Sequence, residues 1–378
     1  MKRQILKKIA AILFIFLAIV LFFFLFTKQG KAIVKTIRFV KGAFPTASSQ
    51  PQTFQNTVPP IRIAYPDQDK TTEALLFKTK GNGKKPAVIV SWGVGLTGEN
   101  VRLLFHTSNL LSKLGINVLI PFPESLKKDI VTYESIKSYV SAFQFLQKQE
   151  NINPRKIGFM GFCAGGSFLM LAASDEEIKD QVIFVQAFAP YNNLTDYYAQ
   201  GFSQKAIVDG GIRDWQTHSI TREVLIKNFL ARFDNNIDKE VLSKTYLDQE
   251  TNTPILQSIL SDQGKKAQEI INSKDPIQTK NLLRLLPQNI QDDLTNLSPN
   301  PKAKDIKASV FIIHDRDDPF TPFEEAERLA KFLGPQVTFT LVKSFDHTIL
   351  DERIPFGQLV SELFKVGLHL YKIFYIIS

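Results

Sequence analysis

The chain has 378 residues with 44% apolar content, a formal net charge of +9 and a single cysteine. This is the composition of a globular protein and excludes a disordered one, and one thiol excludes an internal disulfide or a cysteine-rich metal site. The basic excess is local. Lys2, Arg3, Lys7, Lys8, Lys28, Lys31, Lys35, Arg38 and Lys41 account for all of it, and beyond them acidic and basic side chains balance. A neutral folded part has no electrostatic footprint for nucleic acid, so no nucleic-acid partner is expected.

The nine charges flank Ile9–Phe26, eighteen residues without a polar side chain. At 1.5 Å per residue such a helix covers nearly all of a ~30 Å hydrocarbon core. No small-residue cleavage site follows it, so residues 1–41 are read as an uncleaved single-pass membrane anchor with its flanks. Four basic side chains precede the span and five follow it. A short basic N-terminal tail favours an inside location for itself and an extracytoplasmic location for the remainder. Residues 42–59, rich in Ser, Thr, Gln and Pro, read as a linker.

From Pro60 short β-branched runs alternate with helical patterns. Ile61–Ala64, Ala74–Phe77, Ala87–Val90 and Val118–Ile120 are predicted strands, and Leu103–Leu114, stopped by Gly115, is a predicted helix. Ile130–Gln149 places Tyr133, Ile136, Val140, Phe143 and Leu146 on one helical face. Lys156–Met160, Val182–Val185, Val310–Ile313 and Val337–Val342 complete the predicted strands. Strands alternating with helices imply an α/β fold with a mainly parallel sheet covered on both faces. The interval 191–308 is too long for a plain loop and reads as helical throughout, as in Val224–Phe233, Ile255–Leu260 and Leu282–Leu286. It is expected to be a helical cap inserted between core segments 60–190 and 309–378. The apolar run Leu368–Ile377 contains Lys372 and reads as a packed last helix rather than a second anchor.

The chemistry centres on Gly161-Phe162-Cys163-Ala164-Gly165-Gly166, between a predicted strand and a helix. A sharp strand-to-helix turn strains the central residue, needs small neighbours two positions to either side, and projects the central side chain from the sheet edge. Cys163 is the candidate nucleophile. Ala164 opens the helix, so its N–H is free to stabilise an oxyanion at the positive helix end. The second donor is expected from Ser91-Trp92-Gly93-Val94-Gly95, with Val94 the candidate and Gly93 beside it. After the strand Val310–Ile313 comes His314-Asp315-Arg316-Asp317-Asp318, where Asp318 is the candidate acid by its position in the turn. After the last strand comes Ser344-Phe345-Asp346-His347, making His347 the candidate base. The order nucleophile, acid, base follows the chain as an acyl-transfer triad on this kind of sheet requires. His106, His218, His314 and His369 are read as structural.

On these motifs the chain resembles the α/β-hydrolase superfamily over roughly residues 60–190 and 306–375. Its elbow, Gly-Phe-Cys-Ala-Gly-Gly, resembles that of the dienelactone hydrolases, cysteine enzymes acting on lactones and activated esters. The resemblance implies Cys163 as nucleophile, Asp318 as orienting acid, His347 as base, a small acyl substrate, and no metal or organic cofactor. Dienelactone hydrolases carry a glutamate after the third strand, where this chain has Ser91-Trp92, and lack a large cap. The elbow is also similar to that of polyhydroxyalkanoate synthases, which would imply acyl transfer; a membrane-bound binding module that keeps only the fold is the third alternative.

Overall fold

The computed structural model describes residues 20–43, 59–96, 98–248, 259–343, 345–346, 349–350 and 355–378. Eight strands form one sheet in the order β1-β2-β4-β3-β5-β6-β9-β10. They are β1 (Ile61–Asp67), β2 (Lys70–Phe77), β3 (Lys85–Ser91), β4 (Asn117–Phe122), β5 (Ile152–Phe162), β6 (Phe184–Phe188), β9 (Ser309–Asp315) and β10 (Val337–Val342). β1 and β2 are antiparallel, as are β2 and β4; every other pairing in this sheet is parallel. All eight predicted strands are present. β6 is buried at every position, as a strand covered on both faces must be, whereas the edge strand β1 is largely exposed.

Helices cover both faces. One face packs α3 (Tyr133–Gln147), α4 (Ala164–Ala173) and α11 (Phe323–Leu333); the other packs α1 (Lys28–Ala43), α2 (Gly98–Lys113) and α12 (Phe356–Ile377). The helix predicted from Ile130 begins at Tyr133 because Thr132 is extended and its hydroxyl accepts from the Ser135 N–H, closing a capping box. Its stripe of Ile136, Val140, Phe143 and Leu146 is fully buried, and Phe143 meets Phe159 of β5 edge-on at 5.8 Å. Each such side chain contributes roughly 1.5–3 kcal/mol of burial.

α1 was not anticipated. It buries Ala32, Thr36 and Phe39 against α12, with Phe39 edge-on to Phe374 at 5.7 Å. The flank of the predicted anchor is therefore packed onto the sheet domain as far as Ala43. Among the described residues no helix is long and apolar enough to cross a membrane; residues 9–19 of the predicted span lie outside them.

Between β6 and β9 the chain runs through α5 (Leu194–Ser203), β7 (Lys205–Val208), β8 (Gly211–Asp214), α6 (Ser219–Leu230), α7 (Asn236–Tyr246), α8 (Asp262–Asn272), α9 (Pro276–Leu283) and α10 (Gln288–Asn296). The expectation of helix throughout is corrected by the β7–β8 hairpin. Asp209-Gly210 makes the two-residue turn between β-branched Ile207-Val208 and Ile212, with Gly210 at φ 85° taking the left-handed conformation without a Cβ penalty. Residues 255–258 of the predicted Ile255–Leu260 helix lie outside the described residues, and Ile259 and Leu260 are not helical. Glu325 of α11 clasps the insertion: its buried carboxylate accepts from the N–H groups of Asn192 and Asn193 at 2.8 and 3.1 Å and from Gln200 at 2.8 Å, and pairs with Arg328.

On the opposite face His369 of α12 lies between Thr340 of β10, 2.9 Å from its Nδ1, and Gln186 of β6, 2.7 Å from its Nε2. Burial, reinforced by Lys372, lowers its pKa to about 3 from 6.5. The unfolded chain binds this proton at a higher pH than the folded one, so stability is full above pH 6.5 and falls as the pH drops towards 3. The expected loss from this residue between pH 7 and pH 4 is about 3 kcal/mol. Denaturant titrations of His369→Gln should show that part of the pH slope abolished; an unchanged slope would refute the assignment.

Candidate active site

The sheet delivers the elbow at the carboxyl end of β5. Cys163 sits between β5 and α4 at φ 51°, ψ −132°, a conformation that costs a non-glycine residue about 1–3 kcal/mol. The turn is held by the Cys163 N–H donating to the Phe188 carbonyl at 2.7 Å and the Gly166 N–H donating to the Cys163 carbonyl at 2.9 Å. Its glycines are required by close backbone approach. A Cβ on Gly161 would stand 2.5 Å from the Gly165 carbonyl oxygen, and one on Gly165 would stand 2.5 Å from the Ser91 carbonyl oxygen. Gly93, at φ 100°, has no room either, since its Cβ would lie 2.6 Å from the Gly165 nitrogen. The loop after β3 is thus pressed directly onto the start of α4, bringing the segment of Gly93 and Val94 beside Ala164.

Beneath this loop Trp92 is buried and stacks on Phe162 at 5.3 Å, and Ser91 bonds the Tyr139 hydroxyl at 2.6 Å. Ser91 and Tyr139 thus form a buried neutral hydroxyl pair beneath the loop. The loop is also held from outside: the Gly95 N–H donates to Asp129 Oδ1 at 2.8 Å. The Asp129 carbonyl in turn accepts from Asn228 of α6 at 2.8 Å, and Asn228 Oδ1 accepts from the Val131 N–H at 2.8 Å. The insertion thereby reaches the loop after β3 through one residue. Asp129→Ala is expected to lower kcat about tenfold with little change in KM. A steady-state comparison that finds only KM altered would remove this positioning role.

Asp318 follows β9 and is buried. Its Oδ1 accepts from the N–H groups of Phe320 and Thr321 at 2.7 and 3.0 Å, its carbonyl accepts from the Trp215 indole at 2.9 Å, and Oδ2 lies 3.7 Å from His314 Nε2. Thr321 lies between Asp318 and Cys163, with its N–H on Asp318 Oδ1 and its Oγ1 4.0 Å from Cys163 Sγ. Cys163 and Asp318 are thus brought to the same end of the sheet. His347 lies outside the described residues; the backbone pairs Phe345–Leu350 and Asp346–Ile349 flank it. Asp315 is buried and its Oδ1 accepts from the Asp317 N–H at 2.8 Å, whereas exposed Asp317 lies 3.7 Å from Lys343.

The remaining histidines have other partners. His106 bonds the Gly42 carbonyl at 2.9 Å, His218 caps α6 and stacks on Phe320 at 4.5 Å, and buried His314 bonds the Thr321 carbonyl at 2.9 Å.

Cys163, Ala164 and Val94 open into a cavity of about 810 Å³, its mouth included. Tyr197 and Tyr198 of α5 and Leu225 of α6 form its far wall, so the insertion covers the thiol. Burial holds the Tyr198 phenol up to about 12 and pushes that of Tyr197 well above the usual range, where the Cys163 and Asp318 charges add to the effect. Both stay protonated donors; the Tyr197 hydroxyl donates to the Phe320 carbonyl at 2.7 Å. Thr321 and Asp129 were not anticipated as parts of the site. Thr321 at least lies within the His-Asp-Arg-Asp-Asp-Pro-Phe-Thr-Pro segment that marked the acid.

Residues 124–219 match the sequence model of the dienelactone hydrolase family. No curated protein matches the chain. Among solved structures, a 2,6-dihydroxy-pseudo-oxynicotine hydrolase superposes with a TM-score of 0.50 at 13% identity, over 83% of this chain and 68% of that one. The α/β hydrolase GrgF from Penicillium sp. sh18 gives 0.48 at 14% identity, over 83% and 99% of the two chains. Est1E from Butyrivibrio proteoclasticus gives 0.43 at 13% identity, over 82% and 96%. The chain has the α/β-hydrolase fold, and over residues 124–219 it is similar to the dienelactone hydrolases.

Proposed function

We propose that the chain hydrolyses carboxylic esters, lactones or thioesters of small molecules through Cys163, His347 and Asp318 and a thioester acyl-enzyme. The observation that carries this reading is the strained backbone of Cys163, which holds a lone thiol at a strand-to-helix turn facing a largely apolar cavity. His347 takes the thiol proton as the sulfur attacks the carbonyl carbon. The Ala164 and Val94 N–H groups stabilise the tetrahedral oxyanion, each such donor being worth roughly 3–4 kcal/mol. His347 then returns the proton to the departing alcohol or thiol. In the second half, His347 deprotonates a water that attacks the thioester, and the carboxylic acid leaves with the thiol restored. Asp318 orients the imidazole and balances its positive form. No step calls for a cofactor.

The insertion 191–308 is assigned as the cap that sets acyl size, and Ile9–Phe26 as the membrane anchor, with the catalytic domain on the extracytoplasmic side. The deciding test uses the full-length protein with activated short-chain esters and lactones. Intact and peptide mass spectrometry should find the acyl mass on Cys163 under quenched turnover, and free acid should form in water alone. Adduct without release until an alcohol or amine is added would make the chain an acyltransferase. Neither adduct nor release across the panel would leave a binding module and defeat the proposal.

A further inference from the structure

α12 covers the sheet with one face and leaves an apolar stripe on the other. Val360, Phe364, Leu368 and Tyr375 follow one another at helical spacing and are exposed, Phe364 to 73%. The same outer surface carries exposed Lys365 and Lys372, whereas Glu362, the one acidic residue of this helix, is turned inward onto the Lys343 N–H and Lys365. An apolar stripe on a helix whose exposed charged residues are all lysines is the pattern of a helix lying in a lipid interface, with aromatic and aliphatic side chains among the acyl chains and ammonium groups at the phosphates.

A second observation places lipid beside it. α1 packs on α12, and its first turn carries Lys28, whose ammonium sits 4.4 Å over the Tyr375 ring. The chain immediately before α1 exposes Leu21, Phe22, Leu25 and Phe26 and belongs to the eighteen-residue apolar run. Residues 20–43 hold five basic side chains and no acidic one. The apolar run therefore ends against the same helix that carries the stripe.

We infer that the outer face of α12 is a second membrane contact, which seats the hydrolase domain against an anionic bilayer beside its anchor. This rests on the anchoring proposed above. The site is suited to phosphate-bearing lipid headgroups over an acyl layer, and it holds the domain on its side rather than on a free tether.

Trp92 and Trp215 are both buried and give a constant background, so the change on bromination reports on an added exposed tryptophan. The full-length chain would be reconstituted into anionic vesicles with and without brominated acyl chains, as Phe364→Trp and, for comparison, as Phe332→Trp. Phe332 is exposed on α11, which covers the opposite face of the sheet. Emission from Trp at 364 is expected to fall by about half on bromination, that from Trp at 332 to be unchanged, and Lys365→Glu with Lys372→Glu to restore most of the emission at 364. Alkaline extraction reads the anchor separately. A chain retained after extraction whose Trp at 364 is no more quenched than at 332 overturns the α12 contact and leaves the anchor standing. A chain neither retained nor quenched overturns both. A blue shift at 364 without quenching, together with a doubled mass in detergent, would give this face to a second copy of the chain and overturn the lipid assignment.

Discussion

Cys163→Ala is expected to lower ester turnover by about 10⁴- to 10⁶-fold, the range seen when a covalent nucleophile is removed and only oxyanion binding and proximity remain. The loss should fall on kcat, because the cavity wall from Val94 to Tyr198 is untouched and substrate still binds. It should also abolish the acyl adduct. Folding offers no competing explanation. Alanine replaces a half-buried thiol that stands 4.0 Å from the Thr321 hydroxyl, and the turn is held by backbone groups that remain. The melting temperature should therefore stay within a few degrees of wild type. Turnover retained in Cys163→Ala at a tenth of wild type or more would show that the thiol is not the nucleophile, whatever the elbow's geometry.

The turn that holds Cys163 was legible in the sequence because its signal is local. A glycine two positions either side of a residue between a β-branched run and a helical pattern fixes a turn type, and the clashes at Gly161 and Gly165 are the physical content of that pattern. The strands were legible for a similar reason: short β-branched runs bounded by Gly and Pro leave few alternatives. What failed to show were relations between distant segments. α1 carries its buried Ala32, Thr36 and Phe39 within a stretch whose lysines read simply as the flank of an apolar span, and only α12, more than three hundred residues later, gives that stripe a partner. The β7–β8 hairpin had a local signal in Asp209-Gly210, but strands of four residues lie below the length at which alternation can be recognised inside a helical interval. Asp129 had none. Its role depends on the oxyanion loop lying on one side of it and α6 on the other, a juxtaposition produced by the fold.

The choice among the three aspartates after β9 was positional, and the surroundings now give it a physical test. Asp318→Asn is expected to reduce kcat by about 10⁴-fold, since an amide can present a donor where the imidazole needs an acceptor and so favours the wrong tautomer. The substitution is nearly isosteric and keeps the oxygen that accepts from Phe320 and Thr321, so the turn should survive. Asp317→Asn should stay within twofold of wild type, because that side chain is exposed and its contact with Lys343 is a surface pair of small value. Asp315→Asn is the structural control. It alters the carboxylate that caps the Asp317 N–H and should change stability more than kcat. If Asp318→Asn instead retains most of its turnover while Asp315→Asn loses it with the melting temperature unchanged, the acid is the strand-end aspartate. The imidazole would then be oriented from β9 itself rather than from the turn beyond it.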